Sequence, residues 1–161
     1  MISVKKIEIR KSDSDLIQSS LFFNSINTSV NAPLLIFAHG FKGFKDWGGF
    51  PYLCTELAKA GFAVLSFNFS HNGVGNDSLM DFTKLDMFAQ NTHSIELLDL
   101  NAIIESIPEF KKEHNIDNSK IGLIGHSRGG GVSIISAAED NRIKALVTLA
   151  SVAKFDRYTD E

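Results

Sequence analysis

Short apolar runs alternate with polar segments along the chain, and their spacing predicts strands and helices in turn. Residues 4–9 and 16–23 each mix apolar and polar positions, which favours two amphipathic strands joined by a polar turn at 11–15. Later apolar runs are continuous, as in strands that helices cover on both faces. These buried strands are predicted at residues 34–38, 62–69, 121–124 and 145–150.

Helical spacing of apolar residues fills the gaps between the buried strands. Pro51 suits the first turn of one helix, and Gly61 suits its end. A longer helix is predicted from Ile95 to a stop near Pro108, and a helix rich in small residues over 127–139. Strands that alternate with helices predict the α/β class: a mainly parallel sheet of about six strands with helices on both faces.

The two opening strands are predicted to form an antiparallel addition at one edge of this sheet. Residues 1–161 show no linker, repeat or low-complexity segment, so a single domain is expected.

Composition and charge exclude several classes of protein. The formal net charge of -3 gives no reason to expect a nucleic acid or an anionic membrane as partner. No apolar run reaches the roughly 18 residues of a membrane span, and the N-terminus lacks the apolar block of a signal peptide. The single cysteine, Cys54, excludes an internal disulfide and a cysteine-based metal site. A cytoplasmic location is therefore expected, with no metal or cofactor.

A G-x-S-x-G sequence lies at residues 125–129, between a predicted strand and a predicted helix. This context is typical of a nucleophile elbow, in which a tight turn lifts a strained serine out of the sheet. Gly125 and Gly129 let the strand and helix backbones approach, and the helix N-terminus directs free N–H groups at the site. Ser127 is therefore the predicted catalytic nucleophile. The alternative is a glycine-rich turn whose serine only caps the helix.

A nucleophilic serine needs hydrogen-bond donors for the oxyanion of its tetrahedral intermediate. One predicted donor is the backbone N–H of Arg128, directly after the nucleophile. The other is the backbone N–H of Phe41, in the loop 39–43 that follows the predicted strand 34–38. Gly40 allows the chain to turn sharply there. The alternative is a plain turn with a surface histidine.

These two segments resemble the α/β-hydrolase superfamily, and the loop 67–73 occupies the place of its glycine-containing loop after the fourth strand. Together they are similar to the branch of bacterial dienelactone hydrolases and serine-peptidase-like esterases, over about residues 7–150. The resemblance implies a hydrolase of carboxylic esters or related small acyl substrates that acts through a Ser127 acyl-enzyme.

The resemblance also indicates what is missing. The superfamily normally holds eight strands, with the catalytic acid and histidine after the serine, whereas six strands are counted here. We therefore expect residues 1–161 to be the N-terminal part of a truncated α/β-hydrolase fold, with impaired activity. Asp156 follows the last strand, where some members of the superfamily place their acid. That strand would be an uncovered edge, through which the chain could self-associate.

The five histidines provide no expected general base. His39 and His126 lie within the two motifs, where the superfamily uses these positions for loop structure. With Gly40 they are predicted to line the site, as is His71, on a loop at the same end of the sheet. His93 and His114 lie near the two ends of a helix and are expected to be solvated.

Two other functions stay open. A non-catalytic hydrolase-fold protein that binds a ligand or a partner would also lack the histidine. A nucleotide-binding α/β domain is disfavoured, because the spacing of Gly122, Gly125 and Gly129 does not match G-x-G-x-x-G and no G-K-[ST] pair is present.

Overall fold

The computed structural model describes residues 1–11, 16–26, 31–75, 80–111 and 114–156. Within these ranges six strands form one sheet: β1 (Ile2–Arg10), β2 (Leu16–Asn24), β3 (Ala32–Ala38), β4 (Ala63–Phe67), β5 (Ile116–His126) and β6 (Ile143–Leu149). The helices of the same ranges are α1 (Phe50–Lys59), α2 (Leu85–Ala89), α3 (His93–Phe110) and α4 (Arg128–Glu139).

The strands lie in the order β1-β2-β4-β3-β5-β6. Strands β3, β4, β5 and β6 are mutually parallel, whereas β2 is antiparallel to both β1 and β4. The predicted α/β class, the mainly parallel sheet of six strands and the antiparallel pair at one edge are therefore confirmed. The turn predicted at 11–15 lies mostly outside the described residues.

Two apolar layers hold helices against the two faces of the sheet. Side chains alternate along a strand, so Ile36 of β3 packs with Ile103 of α3 on one face, while Phe37 packs with Cys54 of α1 on the other. These side chains are buried, and each contributes about 1.5–3 kcal/mol relative to an exposed position. Helices thus lie on both faces, as predicted.

Among the differences from the predicted elements, three have a clear physical reason. Helix α3 continues past Pro108 to Phe110, because a proline in the last turn disrupts few of the hydrogen bonds that form a helix. Strand β5 begins at Ile116, five residues before the predicted apolar run, because its first part carries exposed polar residues. Helix α2 was not predicted, since its five residues are too few for a helical period to show.

The parallel strands bring four chain segments to one edge of the sheet. Their carboxyl ends carry the loop that begins at His39, the segment 68–73, Ser127, and the segment 150–156. In open α/β sheets this is the edge where ligands bind. Among the described residues, no helix combines the length and apolar character that crossing a bilayer requires.

Candidate active site

Ser127 links β5 to α4 in a backbone conformation that non-glycine residues rarely adopt. Its φ is 52° and its ψ is -118°, which costs on the order of 1–3 kcal/mol. Surrounding hydrogen bonds fix this conformation. The Ser127 N–H donates to the Leu149 carbonyl at 2.9 Å, and the Ser127 carbonyl accepts from the Val152 N–H at 3.1 Å. Ser127 lies before α4 rather than within it, so the helix predicted over 127–139 begins one residue later, at Arg128.

The glycines of the motif lie where neighbouring backbone leaves no room for a side chain. A Cβ on Gly129 would lie 2.5 Å from the Ala38 carbonyl oxygen, and a Cβ on Gly125 would lie 2.5 Å from Gly130 Cα. Real Cβ atoms do not approach other heavy atoms so closely, so a larger residue would push α4 away from β3 and β5. This close approach keeps the N-terminus of α4 at the sheet edge.

The loop 39–43 turns directly beside Ser127. The Gly43 N–H donates to the Gly40 carbonyl at 3.0 Å, which closes a tight turn. A Cβ on Gly40 would lie 2.9 Å from Ser127 Cβ. Within the described chain, the backbone N–H groups of Phe41 and Arg128 donate to no other group. Each of these two residues therefore keeps a free backbone donor, and both line a cleft at Ser127.

A cleft of about 350 Å³ opens at Ser127. It is lined by Phe41, His93, Ser127, Arg128, Val152, Lys154 and Phe155. A larger depression of about 520 Å³ between α3 and α4 contains no residue of either motif. The cleft at Ser127 is therefore the candidate active site.

The Arg128 side chain, which lines this cleft, forms a part-buried ion pair with Glu96 of α3. Its Nε donates to Oε2 of Glu96 at 2.8 Å. Burial raises the pKa of Glu96, while the positive charge of Arg128 and two hydrogen bonds oppose that rise. His93 lies near the same cation, and its pKa is lowered, first by burial and then by Arg128.

His39 is buried beneath the loop and engaged at both ring nitrogens. Its Nε2 accepts from the Phe69 N–H at 3.2 Å, so its Nδ1 carries the proton and donates to the Gly40 carbonyl at 2.9 Å. Burial lowers the pKa of His39 to about 4. A neutral ring with both nitrogens occupied has no free position for proton transfer, so His39 supports the loop from below.

The other two histidines predicted at the site lie around its periphery. The ring of His126 packs at a tilt against Phe50, with centroids 5.5 Å apart. His71 Nδ1 lies 2.8 Å from the Ser70 hydroxyl, which itself donates to Asp99 at 3.0 Å. Neither residue is among those that line the cleft described above.

The expectation that His93 and His114 are solvated is wrong for His114 and incomplete for His93. His114 is buried against Phe23, with ring centroids 4.8 Å apart. His93 is half-buried, and its ring lies 4.1 Å from that of Phe155, so it forms part of the cleft wall. No local signal could have shown this, because Phe155 follows His93 by 62 positions in the sequence.

Asp156, the acid predicted after the last strand, follows β6 in the structure. Asp156 is exposed, and Asp46 pairs with Lys45. Asp77 lies outside the described residues. Across the described ranges, no cluster of three or more histidine, cysteine or acidic side chains could hold a metal ion.

Comparison with known proteins agrees with this architecture. The family model of the alpha/beta hydrolase fold matches residues 33–160. An uncharacterised 31.7 kDa protein of Escherichia coli, from the traX-finO intergenic region, is 29% identical over 137 residues. A Mycoplasma pneumoniae protein provisionally named esterase/lipase 2 is 29% identical over 140 residues, and Bacillus subtilis YitV, provisionally named an esterase, is 30% identical over 117.

The chain spans less than half the length of these relatives. The match to the Escherichia coli protein covers 85% of this chain and 43% of the relative. The match to the Mycoplasma pneumoniae protein covers 86% and 44%, and the match to Bacillus subtilis YitV covers 73% and 44%.

Solved structures show the same fold. A dienelactone hydrolase-like promiscuous phosphotriesterase from metagenomic libraries superposes with a TM-score of 0.72 at 18% identity, over 93% of this chain and 59% of the other. A dienelactone hydrolase from Anabaena variabilis gives 0.72 at 16% identity, over 93% and 64%. The chain belongs to the α/β-hydrolase-fold family.

Proposed function

We propose that Ser127 is the nucleophile of a hydrolase that acts on carboxylic esters or related small acyl substrates. The observation that carries the proposal is the strained Ser127 backbone at the mouth of the cleft, fixed by hydrogen bonds to Leu149 and Val152. Strained backbone conformations cluster at active sites, where the surrounding structure holds them in place.

The proposed reaction passes through an acyl-enzyme. Ser127 Oγ attacks the acyl carbonyl carbon, and the oxyanion that forms accepts hydrogen bonds from the N–H groups of Phe41 and Arg128. The bond between the carbonyl carbon and the leaving oxygen then breaks, and the alcohol departs with a proton. Water hydrolyses the resulting Ser127 ester by the same route, which releases the acid and restores the hydroxyl.

The cleft supports a small acyl substrate. Its volume of about 350 Å³ falls at the lower end of the range for ligand pockets. The aromatic side chains of Phe41 and Phe155 flank it and would contact an apolar acyl chain. The esterase names of the relatives from Mycoplasma pneumoniae and Bacillus subtilis favour the same class of substrate.

The reaction of Ser127 with a strong electrophile is distinct from the catalytic turnover of esters. Among the described residues, no side chain forms a hydrogen bond with Ser127 Oγ. His93 lines the same cleft but is not bonded to Ser127. A serine hydroxyl without a base is a weak nucleophile. We therefore expect the 161-residue chain to react with a strong electrophile but to turn over esters slowly, at the residual level that an oxyanion site alone provides.

A labelled fluorophosphonate tests the nucleophile directly. Ser127 Oγ would form a bond to phosphorus as the phosphorus–fluorine bond breaks, fluoride leaves and the hydroxyl proton passes to water. We expect slow stoichiometric labelling of the wild-type chain and none of Ser127→Ala. Ser151→Ala is the matched control, because this serine lies nearby but outside the motif. Labelling that persists in Ser127→Ala would overturn the assignment.

A second candidate is a non-catalytic protein that binds a ligand in the same cleft. The absence of a base at Ser127 Oγ within the described chain favours it. Under this alternative the wild-type chain would not be labelled, and esters would bind without release of alcohol.

We also propose that the chain self-associates through β6. This strand pairs only with β5 in the described sheet, and Leu146, Val147 and Leu149 are well exposed along it. An unpaired strand with apolar side chains is a template for pairing with a second copy.

A further inference from the structure

Glu96 is a buried carboxylate whose two oxygens are both engaged. Oε2 accepts from Arg128 Nε at 2.8 Å, and Oε1 accepts from Asn91 Nδ2, also at 2.8 Å. A buried carboxylate is costly unless it is paired and hydrogen-bonded. These contacts therefore fix the Arg128 side chain, whereas an exposed ion pair would contribute about 0–1 kcal/mol.

The guanidinium of Arg128 also touches the loop on the other side of the cleft. Its Cζ lies 5.5 Å from the centroid of the Phe41 ring, within the range of a cation–π contact. The Phe41 ring in turn stacks on Phe88 of α2, with centroids 5.4 Å apart. One side chain thus joins the elbow, the loop 39–43 and α3.

The residues joined in this way are the two proposed oxyanion donors, and neither backbone N–H has an acceptor within the described chain. Phe41 and Arg128 lie 87 positions apart in the sequence, and their N–H groups would have to converge on one oxygen. Oxyanion stabilisation requires donors about 2.7–3.1 Å from that oxygen, and a misplacement of about 1 Å can cost on the order of 100-fold in rate.

We propose that Glu96 is a positioning residue for the reaction, because its ion pair holds the Arg128 guanidinium against Phe41 and so sets the separation of the two oxyanion donors. This inference rests on the proposed function. Glu96 touches no reacting atom, and it acts through Arg128. The ion pair also gives the guanidinium a structural role, because its Nε donates to Glu96 and is not free to bind a substrate anion.

The test compares Glu96→Gln with Glu105→Gln. Glu105 lies on the same helix and accepts from Arg142 at 2.8 Å, but that pair is exposed and distant from the cleft. Saturation kinetics with the fluorophosphonate separate its inactivation rate constant from its binding constant. We expect Glu96→Gln to lower the rate constant about 10- to 100-fold with little change in binding, and Glu105→Gln to change neither.

A merely structural loss would instead lower the labelled fraction in proportion to the unfolded fraction, which circular dichroism measures. Wild-type rate constants in a folded Glu96→Gln variant would overturn the proposal. If that variant does not fold, Arg128→Lys provides the second test, because it keeps the charge and the backbone donor but removes Nε and the planar contact with Phe41. The same fall in rate constant is expected, and an unchanged rate would refute the role.

Failure of the proposed function is distinguishable from failure of this inference. If the wild-type chain is not labelled, the nucleophile assignment fails. The ion pair can then be followed by ¹H–¹⁵N NMR, where the Arg128 Nε–H and Phe41 amide signals should shift together in Glu96→Gln and remain in place in Glu105→Gln. Independent behaviour of the two signals would show that Glu96 does not couple the two residues.

Discussion

The two sides of the Ser127 cleft are built very differently. On the side of α3, buried polar groups have partners on several elements. Asp99 accepts from Lys11 Nζ at 2.6 Å and from the Ser70 N–H at 2.8 Å, and Glu96 holds Arg128 as described. The apolar residues of α3 beneath them are packed against the sheet. This side is closed, because buried contacts join α3 to the segments that carry Ser70 and Arg128.

The side of β6 is open. Every residue from 144 to 149 is exposed, and β6 has β5 as its only partner in the described sheet. The segment after β6 contributes Val152, Lys154 and Phe155 to the cleft. The comparison teaches that one side of the cleft is held by buried polar contacts between elements, while the other side ends at an exposed strand.

The largest expected effect is the contrast between a core leucine and a β6 leucine. Leu100 of α3 is 0% exposed, and Leu146 of β6 is 37% exposed. Leu100→Ala should lower the free energy of unfolding by about 2–5 kcal/mol, because it leaves a cavity. Leu146→Ala should lower it by no more than about 1 kcal/mol. Urea unfolding measures both values, and equal losses would show that the β6 side is as well packed as the core.

Acid should weaken the closed side through His39. The folded pKa of about 4 lies below the ordinary value of 6.5, so the folded state binds fewer protons than the unfolded state between these values. The stability that depends on neutral His39 is present above pH 6.5 and is lost as the pH falls toward 4. The full loss amounts to about 3 kcal/mol.

Urea unfolding at several pH values isolates this contribution when the wild type is compared with His39→Gln, which cannot titrate there. The variant should lose less stability between pH 6.5 and 4. An NMR titration of the His39 ring with a midpoint near 6.5 in the folded chain would contradict the buried, neutral state.

The sequence was sufficient to predict the order of strands and helices and the positions of the two motifs. The runs at 34–38 and 121–124 are apolar because helices cover both faces of those strands. The continuous apolar pattern was therefore enough to predict both strands. The G-x-S-x-G sequence was informative because Gly125 and Gly129 are required by steric contacts that any strand-to-helix turn of this kind creates.

The sequence did not show which side chains meet across the cleft. In the sequence, Glu96 cannot be distinguished from other polar residues of a helix. Its proposed role depends on its contact with Arg128, which lies 32 positions away. His114 was predicted to be solvated near the end of a helix, yet it is buried against β2. Such pairings follow from how the helices are placed on the sheet, and no local period encodes them.

The smallest expected effect concerns association at the two edges of the sheet. Val147 on β6 is 51% exposed and Val4 on β1 is 56% exposed, so Val147→Lys and Val4→Lys are matched substitutions at opposite edges. A charged side chain on an edge strand opposes pairing with another strand, while an exposed substitution should change stability by about 0.5 kcal/mol at most. Light scattering across a concentration series should show the wild-type mass rising toward that of a dimer. Val147→Lys should remain a monomer and Val4→Lys should follow the wild type. A monomeric wild type at high concentration would refute the association. Loss of the dimer in Val4→Lys alone would show that the copies pair through β1. The open side of the cleft would then not be the side where copies meet.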